Sequence, residues 1–154
     1  SSVQMSRLRK TLFMLQYWNE FEAMLWREID RHAKYCRKHG YKCAVRLNGT
    51  SDVRWEIKIW ETMVYFHKWW DVYFYDYTKI ANRRKAKKVA NYHLTWSYSN
   101  ADPRYAARLD EAISNGMNAA VVFRSNFIRI NFGAVMSGEN IDGDKASITF
   151  IAFT

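Results

Sequence analysis

Cys43-Ala44-Val45-Arg46-Leu47 runs into the polar block Asn48-Gly49-Thr50-Ser51-Asp52, after which Trp55, Ile59, Met63 and Phe66 recur at helical spacing. A short apolar run, a small polar loop and a helical stripe make a strand–loop–helix unit. The alternation continues downstream. Residues 72–75 read as a second strand and 91–96 as a third. Asp102-Pro103 caps a helix that carries Ala106, Leu109 and Ile113 to a stop at Gly116. Residues 119–123 read as a fourth strand, and 147–153 as a weaker fifth. Strands alternating with helices imply parallel β-α-β units, so the expected fold is α/β with a mostly parallel sheet of four or five strands. A closed (β/α)8 barrel takes about 250 residues. The 154 residues therefore suit an open sheet or a partial, incomplete TIM-like barrel.

Two helical segments precede this unit. Met5, Leu8, Leu12 and Leu15 place an apolar stripe on the first, over residues 3–15. The second has Asn19 as its expected N-cap, with Glu22 as capping-box partner. Its stripe runs through Phe21, Met24, Leu25, Ile29, Ala33 and Cys36, and Gly40 supplies the stop after Arg37-Lys38-His39.

Composition narrows the class. Hydrophobic residues make up 49% and charged residues 25%, with one proline and six glycines, which excludes disordered and collagen-like chains. Trp 7, Tyr 10 and Phe 9 are the unusual feature, and Lys+Arg 24 against Asp+Glu 15 leaves +9. There is no apolar signal region and no run of about 18 apolar residues for a membrane span. Two cysteines make no disulfide framework, so the expected setting is reduced and cytoplasmic. The chain opens at Ser1 without an initiator Met, and with so few strands it reads as one α/β domain over 1–154 cut from a longer protein.

In parallel sheets ligands bind beyond the carboxyl ends of the strands. Four such ends carry polar blocks here: 48–52, 76–79, 97–100 and 124–126. The loop Asn48-Gly49-Thr50-Ser51-Asp52 could offer backbone N–H groups to an anion, or could simply cap the next helix. Asp52, Asp76 and Lys79 are the candidates for proton transfer or substrate orientation, with a structural ion pair as the other reading of Asp76 and Lys79. Asn48, Gly49, Thr50, Ser51, Ser97 and Arg124 are the candidate ligand-binding residues, with Arg124 suited to grip a phosphate or carboxylate. A small anionic or nucleotide-like ligand is the expected partner.

Two further patterns compete with this site. His32, Cys36, His39 and Cys43 have metal-ligand spacing, but Gly40 breaks the helix and Cys43 opens a strand, so both thiols are expected in the core and no metal is assigned. Arg83, Arg84, Lys85, Lys87 and Lys88 put five cations in six positions. They suit nucleic-acid phosphates or a solvated connector. The alternatives to a ligand-binding or enzymatic role are thus a nucleic-acid-binding accessory protein and a structural protein with no small-molecule site.

The run Val45-Arg46-Leu47-Asn48-Gly49-Thr50-Ser51-Asp52-Val53-Arg54-Trp55-Glu56 resembles a segment of the mycobacteriophage gene-product eighty-eight family. Phe74-Tyr75-Asp76-Tyr77-Thr78-Lys79, Ala90-Asn91-Tyr92-His93-Leu94-Thr95-Trp96-Ser97 and Ala120-Val121-Val122-Phe123-Arg124 agree in order, with Ile141-Asp142-Gly143-Asp144 a weaker match. The family's function is unknown. The resemblance implies a phage or prophage origin and a partial TIM barrel. Longer members carry an upstream cysteine-rich segment, which implies similarity to iron–sulfur and radical-SAM proteins. Cys36 and Cys43 do not occupy that segment, so a cluster and SAM follow only if it precedes Ser1.

Overall fold

A computed structural model describes residues 2–49, 51–99, 103–123 and 148–152. Helices α1 (Ser2–Gln16) and α2 (Trp18–His39) lead into β1 (Cys43–Arg46). Two short helices, α3 (Trp55–Lys58) and α4 (Trp60–Trp70), precede β2 (Val72–Thr78). A 3-10 turn at Ala86–Lys88 separates β2 from β3 (Tyr92–Ser97). Helices α5 (Pro103–Ala106) and α6 (Leu109–Ser114) then lead to β4 (Asn118–Phe123), and β5 (Ile148–Ala152) is the last strand.

The five strands lie in the order β1-β2-β3-β4-β5, and every ladder is parallel. The expected α/β class and parallel sheet therefore hold. A closed barrel does not: β1 and β5 are not paired with each other, so the sheet stays open. Crossovers between parallel strands are almost always right-handed, so strands added in one direction put their helices on the same face. The register Phe74↔Tyr92 and Thr78↔Trp96 aligns Val72, Phe74, Asp76 and Thr78 with Tyr92, Leu94 and Trp96 on that covered face. Ile29, Ala33 and Cys36 of α2, Met63 and Phe66 of α4, and Ala112 of α6 pack against it. The other face carries Tyr73, Tyr75 and His93, all exposed.

Several boundaries differ from expectation for identifiable reasons. Tyr17, not Asn19, precedes α2, because the chain passes almost unbroken from α1: Tyr17 N–H donates to Phe13 O, and Phe21 N–H to Tyr17 O, each at 2.9 Å. A side-chain cap has no orphan donor to serve there. The single helical stripe expected from Trp55 to Phe66 is broken at Ile59, whose φ of −134° leaves the helical region. Strand β2 continues through Asp76 and Thr78 because these polar residues occupy the inward positions and find partners inside. Gly40 ends α2 as expected, with φ 69° in the left-handed region. The apolar stripe of α1 is solvent-facing, with Leu15 66% exposed.

Candidate functional site

The loop after β1 is organised by one side chain. Asn48 is 1% exposed, and its Oδ1 receives Ser51 Oγ (3.0 Å), Val53 N–H (3.0 Å) and Trp55 Nε1–H (2.9 Å). Its Nδ2 donates to Val53 O at 3.0 Å, so the carboxamide folds the loop back on itself. Trp55, anchored in this way, stacks on Phe21 and Trp18 at centroid distances of 6.3 and 6.5 Å. The backbone N–H of Asn48 donates to Asp76 Oδ1 at 2.6 Å, which ties the end of β1 to β2.

Asp76 lies at the centre of a buried chain of polar groups. Its Oδ2 accepts the Tyr92 hydroxyl at 2.7 Å, and that hydroxyl oxygen accepts from Arg83 Nη2 at 3.1 Å. The Arg83 guanidinium pairs with Glu56 through Nε (3.1 Å) and through a second short bond from Nη2. It also donates to Val53 O (3.2 Å) and reaches Asp52 Oδ1 (3.4 Å). The Arg83 and Glu56 side chains are 0% and 1% exposed. Burial raises the Asp76 carboxyl above its ordinary range, against the pull of the Tyr92 hydroxyl, the Asn48 N–H and the cations Arg83 and Arg46. Burial also raises the Tyr92 hydroxyl, and the Asp76 charge beside it adds to this. For Arg83, burial works against the charged form, but the bonds and charge of Glu56 together with Tyr92 more than offset it and the proton is held more tightly.

Asp52 closes the next strand end. It accepts Thr78 Oγ1 (2.8 Å) and the Lys79 N–H (2.8 Å), fixing the backbone where β2 stops. Lys79 then points onward: its Nζ donates to the Ser97 carbonyl at 3.0 Å and lies 4.6 Å from the centroid of the Tyr105 ring. Beside that ring is a cleft of about 410 Å³ lined by Arg104, Tyr105, Ala107 and Arg108.

The strand ends therefore bring together Asn48, Ser51, Asp52, Asp76, Lys79 and Ser97. Gly49 is exposed, and a Cβ added there would meet nothing within 4 Å. Thr50 and Arg124 lie outside the described residues. Asp76 and Lys79 are not paired with each other: Asp76 uses both oxygens on Asn48 and Tyr92. Arg83 leaves the basic run, since its side chain is buried in ion pairs and cannot reach nucleic-acid phosphates. Arg84, Lys85, Lys87 and Lys88 are exposed, with Lys87 Nζ donating to Ser114 O at 3.0 Å. A second cleft, of about 370 Å³, joins Lys85 and Lys88 to Ile57 and Trp60.

Sequence reasoning missed Glu56, Tyr92 and Tyr105 as members of these groups. The adjacency of Glu56 to Trp55 was the available signal, since a carboxylate beside a core tryptophan requires a buried partner. Of the four residues with metal-ligand spacing, His39 turns away, its Nδ1 lying 2.8 Å from Tyr35 O. His32, Cys36 and Cys43 converge, with ligand atoms within 4.8 Å of one another. Burial, reinforced by the hydrogen bond and charge of Cys36, pushes the Cys43 thiol up to about 12. It is therefore a neutral core thiol unless a cation faces it.

With the site in place, comparison with known proteins identifies the class. The family model for gene product 88 matches residues 1–152, and the chain belongs to this phage-type family of unknown function. No curated protein and no solved structure matches the chain. Among the described residues, no helix is long and apolar enough to cross a membrane.

Proposed function

We propose that the protein binds a small phosphate-bearing, nucleotide-like ligand at the carboxyl ends of its strands, where the sequential winding follows that of a partial barrel. The observation that carries this reading is the Lys79 ammonium held over Tyr105 beside the cleft lined by Arg104 and Arg108. Cations around an aromatic ring suit a phosphate joined to a base. Asp52 and Asp76 act as positioning residues: the first fixes the backbone of Lys79, and the second ties β1 to β2 and β3. Both oxygens of Asp76 are committed to Asn48 and Tyr92, and those of Asp52 to Thr78, Lys79 and Arg83, so these carboxylates position groups rather than transfer protons. Binding without turnover is the function this favours.

An iron–sulfur cluster does not fit these residues. Such clusters are held by several thiolates, commonly four, whereas the sequence contains two cysteines, and Cys43 opens β1 at the amino end of the sheet. Action in the cytoplasm of an infected bacterium accords with the phage-type family.

The test is calorimetric titration with inorganic pyrophosphate and with adenosine diphosphate. Lys79→Met and Arg108→Ala should each weaken binding by about 10–100-fold, the equivalent of one charge-assisted hydrogen bond. Absence of binding to either probe, or equal binding by both variants, would sink the proposal. The cleft of Trp60, Lys85 and Lys88 favours a second reading, single-stranded nucleic acid stacked on the indole.

A further inference from the structure

We propose that His32, Cys36 and Cys43 form a site for a thiophilic divalent cation of the zinc type, which fastens the carboxyl half of α2 to the amino end of β1. The three ligand atoms lie within 4.8 Å of one another, and Cys36 Sγ stands 3.7 Å from His32 Nε2. A tetrahedral zinc bonded at about 2.3 Å to sulfur and about 2.0 Å to nitrogen sets its ligands roughly 3.5–3.8 Å apart. The His32–Cys36 pair already has that separation, and the third ligand needs a shift of about an ångström at most.

Local structure accounts for the convergence. His32 and Cys36 are one turn apart on α2 and share a face. Gly40, at φ 69°, reverses the chain, and Cys43 then enters the sheet beneath the helix as the first residue of β1. Cys36 and Cys43 are 4% and 3% exposed, whereas His32 is exposed. The sulfurs thus face inward and the imidazole closes the site from the solvent side, which leaves a fourth position for water. Two thiolates and an imidazole select zinc-type cations over magnesium and calcium, which prefer oxygen donors.

The test uses the full chain, reduced and freed of metal. Titration with Co²⁺ should reach one equivalent and produce thiolate-to-cobalt charge-transfer absorption with the intense ligand-field bands of four-coordinate cobalt. One equivalent of Zn²⁺ should abolish these bands, and Mg²⁺ should not. Cys36→Ser and Cys43→Ser should remove the charge-transfer absorption. Both sulfurs are in the core, so His32→Ala, at an exposed position, provides the variant that keeps its fold. Its zinc affinity, measured against a chromophoric chelator, should fall by more than about 100-fold, the upper range for losing a mere outer-shell partner. The proposal is overturned if the folded, reduced chain binds no stoichiometric Co²⁺. It is equally overturned if His32→Ala binds zinc as tightly as the parent, or if Cys36 and Cys43 are alkylated equally fast with and without zinc.

Discussion

Replacing Arg83 with methionine tests whether the buried network holds the strand ends together. The substitution keeps the volume of the side-chain stem and removes every donor. It leaves the Glu56 carboxylate, 1% exposed, without its counter-charge, and deprives Val53 O and the Tyr92 hydroxyl of a partner. Breaking a buried ion pair from one side costs about 3–5 kcal/mol. With a urea slope of about 2 kcal/mol per molar, the midpoint should fall by roughly 1.5–2.5 M. The paired variant, Arg83→Met with Glu56→Leu, removes both charges and should recover most of the loss, since hydrophobic replacement of a buried pair is often near neutral. The measurement is equilibrium urea unfolding of the parent, the two single variants and the double, followed by tryptophan fluorescence and circular dichroism. If Arg83→Met costs less than about 1 kcal/mol, the value of an exposed pair, the guanidinium is not buried as described. If the double variant costs as much as the sum of the singles, Arg83 and Glu56 are not coupled.

Other consequences are open to measurement. Asn48→Ala leaves the Trp55 indole N–H and the Val53 N–H unpaired, so stability should drop by about 2–4 kcal/mol, and thermal melting reads the loss directly. Because the folded carboxyl of Asp76 sits above its unfolded value, folding favours the protonated form. That stabilisation is present below the ordinary carboxyl range and fades as pH rises through the raised value. The stability of Asp76→Asn relative to the parent should therefore improve with rising pH, and a gap that stays flat across that window contradicts the burial argument. Gly40→Ala meets no atom within 4 Å but must adopt φ 69°, so a cost of about 1 kcal/mol in denaturant unfolding is expected. For single-stranded nucleic acid, Lys85→Ala with Lys88→Ala should reduce the slope of log affinity against log salt by about 1.4. An unchanged slope removes the second reading of function.

The parallel α/β sheet was legible because β1 and β4 are short, largely apolar runs and β3 alternates apolar and polar residues, each bounded by polar blocks, and such strands separated by helical stripes have few other arrangements. Closure was not legible: nothing in residues 43–47 or 147–153 says whether the outer strands meet. The length of β2 was hidden for a different reason. Asp76 and Thr78 continue its inward alternation, but a polar residue on the buried face erases the period on which strand reading depends. Arg83 was misleading because a guanidinium in a basic run reads as solvated. Its partner Glu56 lies 27 residues earlier, a distance no local pattern spans. That polar strand ends lie side by side follows from a parallel sheet, but their partners were not legible: Asn48 N–H donates to Asp76 while Asp52 accepts from Thr78 and Lys79, and such partners follow from register rather than spacing.

Strict neighbour-to-neighbour pairing of the strands also bears on how the chain folds while it is being made. Each strand docks on the one synthesised just before it, so the sheet can grow at one edge as the polypeptide leaves the ribosome. Arg83 imposes a timing constraint on that growth. Glu56 and Asp76 emerge first, and until residue 83 follows they have no buried counter-charge and are better left in water. The pairing of β1 with β2 should therefore become durable only after the guanidinium is in reach, and the hydroxyl of Tyr92 then recruits β3 to the same latch.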